Sequence, residues 1–141
     1  MCTESHIYGR SISVKDILNL IKNKSKFYSI GNISEENIKE AELILNIRFA
    51  SDYRMIIKEY GAVTFSGHEL TGICNSKRLN VVDVTKEERK YNKVPEDWYV
   101  IEQANIDDIV IWQDTNGAVY QTMPNKKPIK LCNSLLEYID F

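Results

Sequence analysis

Two short amphipathic helices written back to back over residues 33–61 constrain this chain more than any other feature. Ser34 is placed to cap the first, with Glu35 and Glu36 in its first turn, where the helix dipole favours carboxylates. Ile33 and Ile38 occupy the two positions of a hydrophobic staple across that cap. Ile38, Ala41 and Leu45 recur at helical spacing, and Asn46 can end the stripe in a left-handed turn. Ser51 starts the second helix; Tyr53, Ile56, Ile57 and Tyr60 form its burying face, and Gly61 stops it. Glu42 borders the first stripe, where it can bond a backbone amide or pair with Arg54 or Arg48, a structural role in preference to a ligand-binding one.

The rest of the chain arranges itself around that pair. Residues 13–24 predict a further helix, capped by Ser13 with Asp16 at the capping-box position and Val14, Ile17, Leu18 and Ile21 on one face. The period then changes: residues 63–65, 69–73 and 79–84 are β-prone runs, and Thr85 with Glu88 opens a brief helical turn. Residues 98–102, 109–113, 118–123 and 129–132 read as strands, with a hairpin signal at Asp114-Thr-Asn-Gly117. Asn133 can cap a terminal helix that buries Leu135, Leu136 and Ile139. Helices, then consecutive antiparallel strands, then a helix predict a single α+β domain over residues 1–141, its helices packed around a mainly antiparallel twisted sheet.

Charge is distributed unevenly along this order. The net value is −2, yet residues 94–141 carry three basic and eight acidic side chains, and residues 94–125 have no Lys or Arg at all. Such a segment attracts basic proteins and repels nucleic acid, unless it is only a solvated sheet edge with its loops. Trp98, Tyr99, Trp112 and Tyr120 fall within it, either as core or as aromatic anchors on an open sheet face. The candidate partner-binding set is therefore Glu96, Asp97, Trp98, Glu102, Asp107, Asp108, Trp112 and Asp114.

Catalytic readings are weaker. His68-Glu69-x-x-Gly72 lacks the second histidine that zinc-protease chemistry needs and lies in a strand-like period. Cys2, Cys74 and Cys132 are odd in number, widely spaced and without a Cys-x-x-Cys pair, as expected of reduced thiols in a cytoplasmic protein. Asp107 and Asp108 are adjacent, so on a strand they point to opposite faces and are poorly placed to share one substrate atom. No phosphate-cradling glycine motif occurs, no apolar run approaches a membrane span, and residues 1–10 lack a signal-peptide h-region. No catalytic residue, cofactor, metal, membrane or nucleic-acid partner is expected, and oligomeric state is not specified.

Residues 33–141 resemble the SUKH superfamily, of Smi/Knr-like fold. The likeness rests on Ala41-Glu42, on Phe49 and Tyr53 spaced as Phe-x-x-x-Tyr, and on the Tyr60-Gly61 stop. It continues through Glu69, Leu70 and Gly72, then Val82, Thr85 and Arg89, then Pro95 ahead of Tyr99, and finally Gly117, Val119 and Tyr120. One departure is Ala50, where the superfamily usually has proline. The resemblance implies a bacterial immunity-type protein that neutralises a cognate polymorphic toxin, often a nuclease, through a stoichiometric complex. Its other branch implies a regulatory scaffold of the cell-wall-regulator type with no toxin partner. In either case the expectation is a binding protein without enzymatic activity.

Overall fold

Tyr60 closes the second of those two helices, and the chain turns directly into the sheet that the helices cover. The computed structural model describes residues 14–140, with side chains from Asp16 onward, and the backbone of residues 6–7 and 10–11. Ser13, Cys2 and the side chains of His6 and Val14 lie outside the described residues. Strands β1 (His6–Ile7) and β2 (Arg10–Ser11) pair with each other, and helix α1 (Val14–Lys22) follows. Then come β3 (Tyr28–Ser29), α2 (Glu35–Leu45), α3 (Ser51–Tyr60), β4 (Val63–Phe65), β5 (His68–Leu70) and α4 (Val81–Arg89). The carboxyl-terminal part is β6 (Tyr99–Gln103), β7 (Val110–Gln113), β8 (Val119–Thr122), β9 (Ile129–Cys132) and α5 (Leu135–Ile139). Strands β3 to β9 form one seven-stranded sheet in chain order, every pairing antiparallel, so the fold is α+β as expected.

The helix pair forms as its caps predict. The Ser34 hydroxyl accepts the N–H of Asn37 at 3.2 Å, and Asn46 adopts the left-handed conformation at φ 54°, ψ 48°. Glu42 holds the turn between α2 and α3: it accepts the N–H of Phe49 at 2.9 Å and a guanidinium N–H of Arg54 at 3.4 Å. Arg54 also pairs with Glu35, whose carboxyl is held down at about 2 by that guanidinium. Ala50 has a direct use for the donor a proline would lack, because its N–H donates to the Tyr99 hydroxyl at 2.8 Å.

Two apolar layers result. The larger joins Ile17 and Ile21 of α1, the faces of α2 and α3, Tyr99, Ile101 and Ile111 of the sheet, and Leu135, Leu136 and Ile139 of α5. The smaller lies on the other face of β6 and β7 and joins Val84 of α4 to Trp98, Val100, Val110 and Trp112. Between Gly61 and Gly72 the backbones touch so closely that a Cβ on Gly72 would sit 1.6 Å from the Gly61 carbonyl oxygen. Only glycine fits at position 72.

Two local expectations are corrected, and one strand is added. Residues 79–84 do not form a strand; α4 begins at Val81. Asn80 caps it, accepting the N–H of Val82 at 2.9 Å, and burial of Val81 and Val84 outweighs the strand preference of a β-branched run. Ser134, not Asn133, caps α5, accepting the N–H of Glu137 at 3.1 Å. The short edge strand β3 has no signal in the sequence, because two residues give no periodicity.

Candidate functional site

The β6–β7 hairpin and its immediate flanks carry the candidate residues, and its register decides where those within it go. Tyr99 pairs with Gln113 and Val100 with Trp112, but a bulge then sets Glu102, not Ile101, opposite Ile111. The extra residue breaks the alternation of faces. Glu102 thereby turns toward the large core, where it is 5% exposed, and accepts the N–H of Glu69 at 2.7 Å and the Tyr138 hydroxyl at 2.5 Å. The His68 ring nitrogen Nδ1 lies 2.9 Å from the same carboxylate, which raises the histidine's pKa above its ordinary value. Glu102 thus ties α5 to β5 and β6 and is removed from any docking surface.

Trp112 is also taken inward. It is wholly buried opposite Val100, with its indole N–H donating to Thr122 Oγ1 at 2.8 Å. Trp98, 7% exposed, stacks on Tyr120 with ring centroids 3.9 Å apart. Of the two readings of the aromatic set, the core one holds for Trp98, Tyr99 and Trp112, and only the half-buried rim of Tyr120 stays open. Arg89 of α4 fastens the 92–97 loop, donating to the carbonyls of Glu96 at 2.8 Å and Trp98 at 3.2 Å.

Asp114 shapes the turn after β7. One oxygen accepts the N–H groups of Asn116 at 2.9 Å and Ala118 at 3.0 Å, and the other accepts the Tyr120 hydroxyl at 2.8 Å. Burial and the neighbouring Asp114 carboxylate push the Tyr120 phenol up to about 12. Asp114 is 9% exposed and offers little to a partner.

Glu96, Asp97, Asp107 and Asp108 remain as exposed carboxylates, and among the described residues none has a cation within ion-pair distance. They do not form one face. Glu96 and Asp97 sit before β6, beside the 114–118 turn, where Thr115 N–H reaches Asp97 at 3.5 Å. Asp107 and Asp108 sit in the β6–β7 turn at the opposite end, both with positive φ. Four-residue β7 alone separates the ends by about 13 Å, beyond the roughly 8 Å screening length of physiological salt. Each pair therefore acts as a separate patch.

A buried polar network beneath the 114–118 turn escaped the sequence reading. Tyr99 donates its hydroxyl to Gln113 at 2.7 Å, and Gln113 donates to Asp52 and to the Gly117 carbonyl, each at 3.0 Å. Asp52 also accepts the N–H of Leu135 at 2.9 Å, joining the start of α3 to the start of α5. Burial raises its pKa. In sequence Asp52 looks like any acid in a first helical turn, so nothing signals this role.

A seven-stranded antiparallel meander backed by the α2–α3 pair defines an α+β fold of the Smi/Knr class. The profile of the SMI1-KNR4 cell-wall family, SUKH_5, matches residues 14–140, and the chain belongs to that family within the SUKH superfamily. A search of the curated proteins gives no match. Among the described residues, no helix is long and apolar enough to cross a membrane, and no group of three or more His, Cys, Asp or Glu side chains could hold a metal ion.

Proposed function

We propose that this chain, acting as one domain in the cytoplasm, is an immunity-type binding protein that neutralises a cognate toxin by forming a stoichiometric complex, without catalysing a reaction. The observation that carries this reading is the two exposed carboxylate pairs, Glu96–Asp97 and Asp107–Asp108, which have no cation within ion-pair distance among the described residues, in a member of the SUKH superfamily. A toxin that cleaves nucleic acid must carry a positive cleft, and negative patches on its antagonist speed encounter with that cleft. Trp98 and Trp112 act from within, stiffening the sheet that presents both patches, and Glu102 and Asp114 fix its two ends. Coexpression with a toxin-bearing protein encoded next to this chain tests the reading. Rescue of growth and a purified complex of fixed stoichiometry are expected; neither rescue nor complex would refute it.

The cell-wall description of the matching family supports a second reading, a regulatory scaffold docked on another cellular protein. Capture of a cell-wall-control protein in the absence of any toxin would favour it.

A further inference from the structure

We propose that the groove between the end of α2 and the loop after α4 receives the carboxylate of an aspartate or glutamate side chain of the protein partner. The inference rests on the protein-binding reading above and adds a second, oppositely charged contact beside the Glu96–Asp97 patch. Arg89 carries it. Its Nη2 holds the Glu96 and Trp98 carbonyls, but Nε and Nη1 meet no acceptor among the described residues. Nε is sealed from solvent, the one buried side-chain nitrogen or oxygen among those residues with no hydrogen-bond partner. Nη1 is open to the surface and is the donor that an incoming anion meets. Among the described residues no carboxylate lies within ion-pair distance of this guanidinium, whereas Arg54, also half-buried, has both Glu35 and Glu42. Burial without a close counter-charge lowers the Arg89 pKa from its ordinary value, and a bound carboxylate offsets that cost.

Arg89 lines a groove of about 790 Å³ together with Asn46, Asn92, Lys93, Pro95 and Glu96. Lys93 is exposed and has no ion pair among the described residues, so it supplies a second positive charge. The Asn46 amide is exposed at the left-handed end of α2 and adds a neutral donor. Asn92 has spent its own amide N–H groups on Glu88. Glu96 is the single carboxylate in the lining, which leaves two cations against one anion. That balance selects the ligand. A nucleic-acid backbone brings only negative charge and is repelled by Glu96 and Asp97 at the rim. A protein surface that sets one carboxylate among its own basic side chains matches both signs at once and fixes its register.

An NMR titration of the isotope-labelled chain with the acetylated, amidated peptide Arg-Gly-Glu-Gly-Arg tests the proposal. Arg-Gly-Gln-Gly-Arg, capped in the same way, and inorganic phosphate are the comparisons. The glutamate peptide should bind about fivefold more tightly than the glutamine one, and should shift the Arg89 Nε–H and the Lys93 amide. Lys93→Glu should bring the two peptides within about twofold of each other. Lys127→Glu, at an exposed position on the β8–β9 turn, should preserve the difference, and the same spectra report whether either variant is folded. Equal affinity for the two peptides, an unmoved Arg89 signal, the same loss from both variants, or a larger Arg89 shift with phosphate would each overturn the groove. Coexpression separates the two claims. A Lys93→Glu chain that captures the neighbouring toxin as tightly as the native chain overturns the groove and leaves the immunity reading standing. A native chain that takes the glutamate peptide in the groove but captures no toxin supports the groove and refutes that reading.

Discussion

The two ends of the β6–β7 hairpin use the same side chain in opposite ways. After β7, Asp114 is turned inward by two backbone N–H groups and the Tyr120 hydroxyl. In the turn before β7, Asp107 and Asp108 are exposed and meet no donor among the described residues. Asp114 lies six positions after Asp108, and both belong to the same acidic run. The difference lies in whether the local backbone presents free N–H groups to a carboxylate. Where it does, the charge becomes part of the fold; where it does not, the charge is available to a partner.

Substitutions can break or sharpen this contrast. The largest effect is expected at Glu102, where alanine leaves His68, Tyr138 and the Glu69 N–H without their shared acceptor. A loss of about 3–5 kcal/mol in chemical denaturation is predicted. Asp114→Ala should cost about 2–3 kcal/mol by the same measurement, since three donors lose their acceptor at the turn. A charge-reversal test of the acidic run must therefore leave Asp114 intact, because its loss would register as misfolding. Ala50→Pro should cost about 1 kcal/mol: its φ of −62° suits proline, but the N–H to the buried Tyr99 hydroxyl is lost.

Smaller still is a pH effect at His68. Its pKa is raised in the folded chain by the Glu102 carboxylate, so the pair stabilises fully below about pH 6.5, the ordinary histidine value, and the contribution is lost as pH rises through the raised value. The melting temperature should fall modestly over that interval in the native chain, and His68→Gln should abolish that component. Smallest of all, Asp107→Asn with Asp108→Asn should change stability by no more than about 0.5 kcal/mol, because both side chains are exposed, neither has an ion pair among the described residues, and asparagine fits their left-handed backbone. A larger loss would show that this end of the hairpin is structural too.

These contrasts also mark what a sequence can disclose. Ser34, Asn46 and Gly61 declare their helix ends because capping depends on residues a few positions apart, and Asp114-Thr-Asn-Gly117 declares its turn for the same reason. The sequence offers Glu42 a backbone amide, Arg54 or Arg48 as partners, and it takes the Phe49 N–H and Arg54. Glu102 could not be placed, because a single bulge reverses the face on which it lies and no residue type marks that bulge. Likewise α4 depends on burial of Val81 and Val84 against distant strands, and Asp52 depends on partners 61 and 83 residues away. The acidic bias of residues 94–125 was plain in the sequence; its division into two separate ends belongs to the tertiary structure.

Stopped-flow association with the purified toxin encoded beside this chain gives the most direct test of the account. The comparison is between the native protein and the variant Glu96→Gln/Asp97→Asn/Asp107→Asn/Asp108→Asn at low ionic strength. The account predicts an association rate at least about tenfold slower in the variant, a flatter dependence on salt, and an unchanged melting temperature. Equal rates with equal salt dependence would contradict it, because the exposed carboxylates would then play no part in finding the partner.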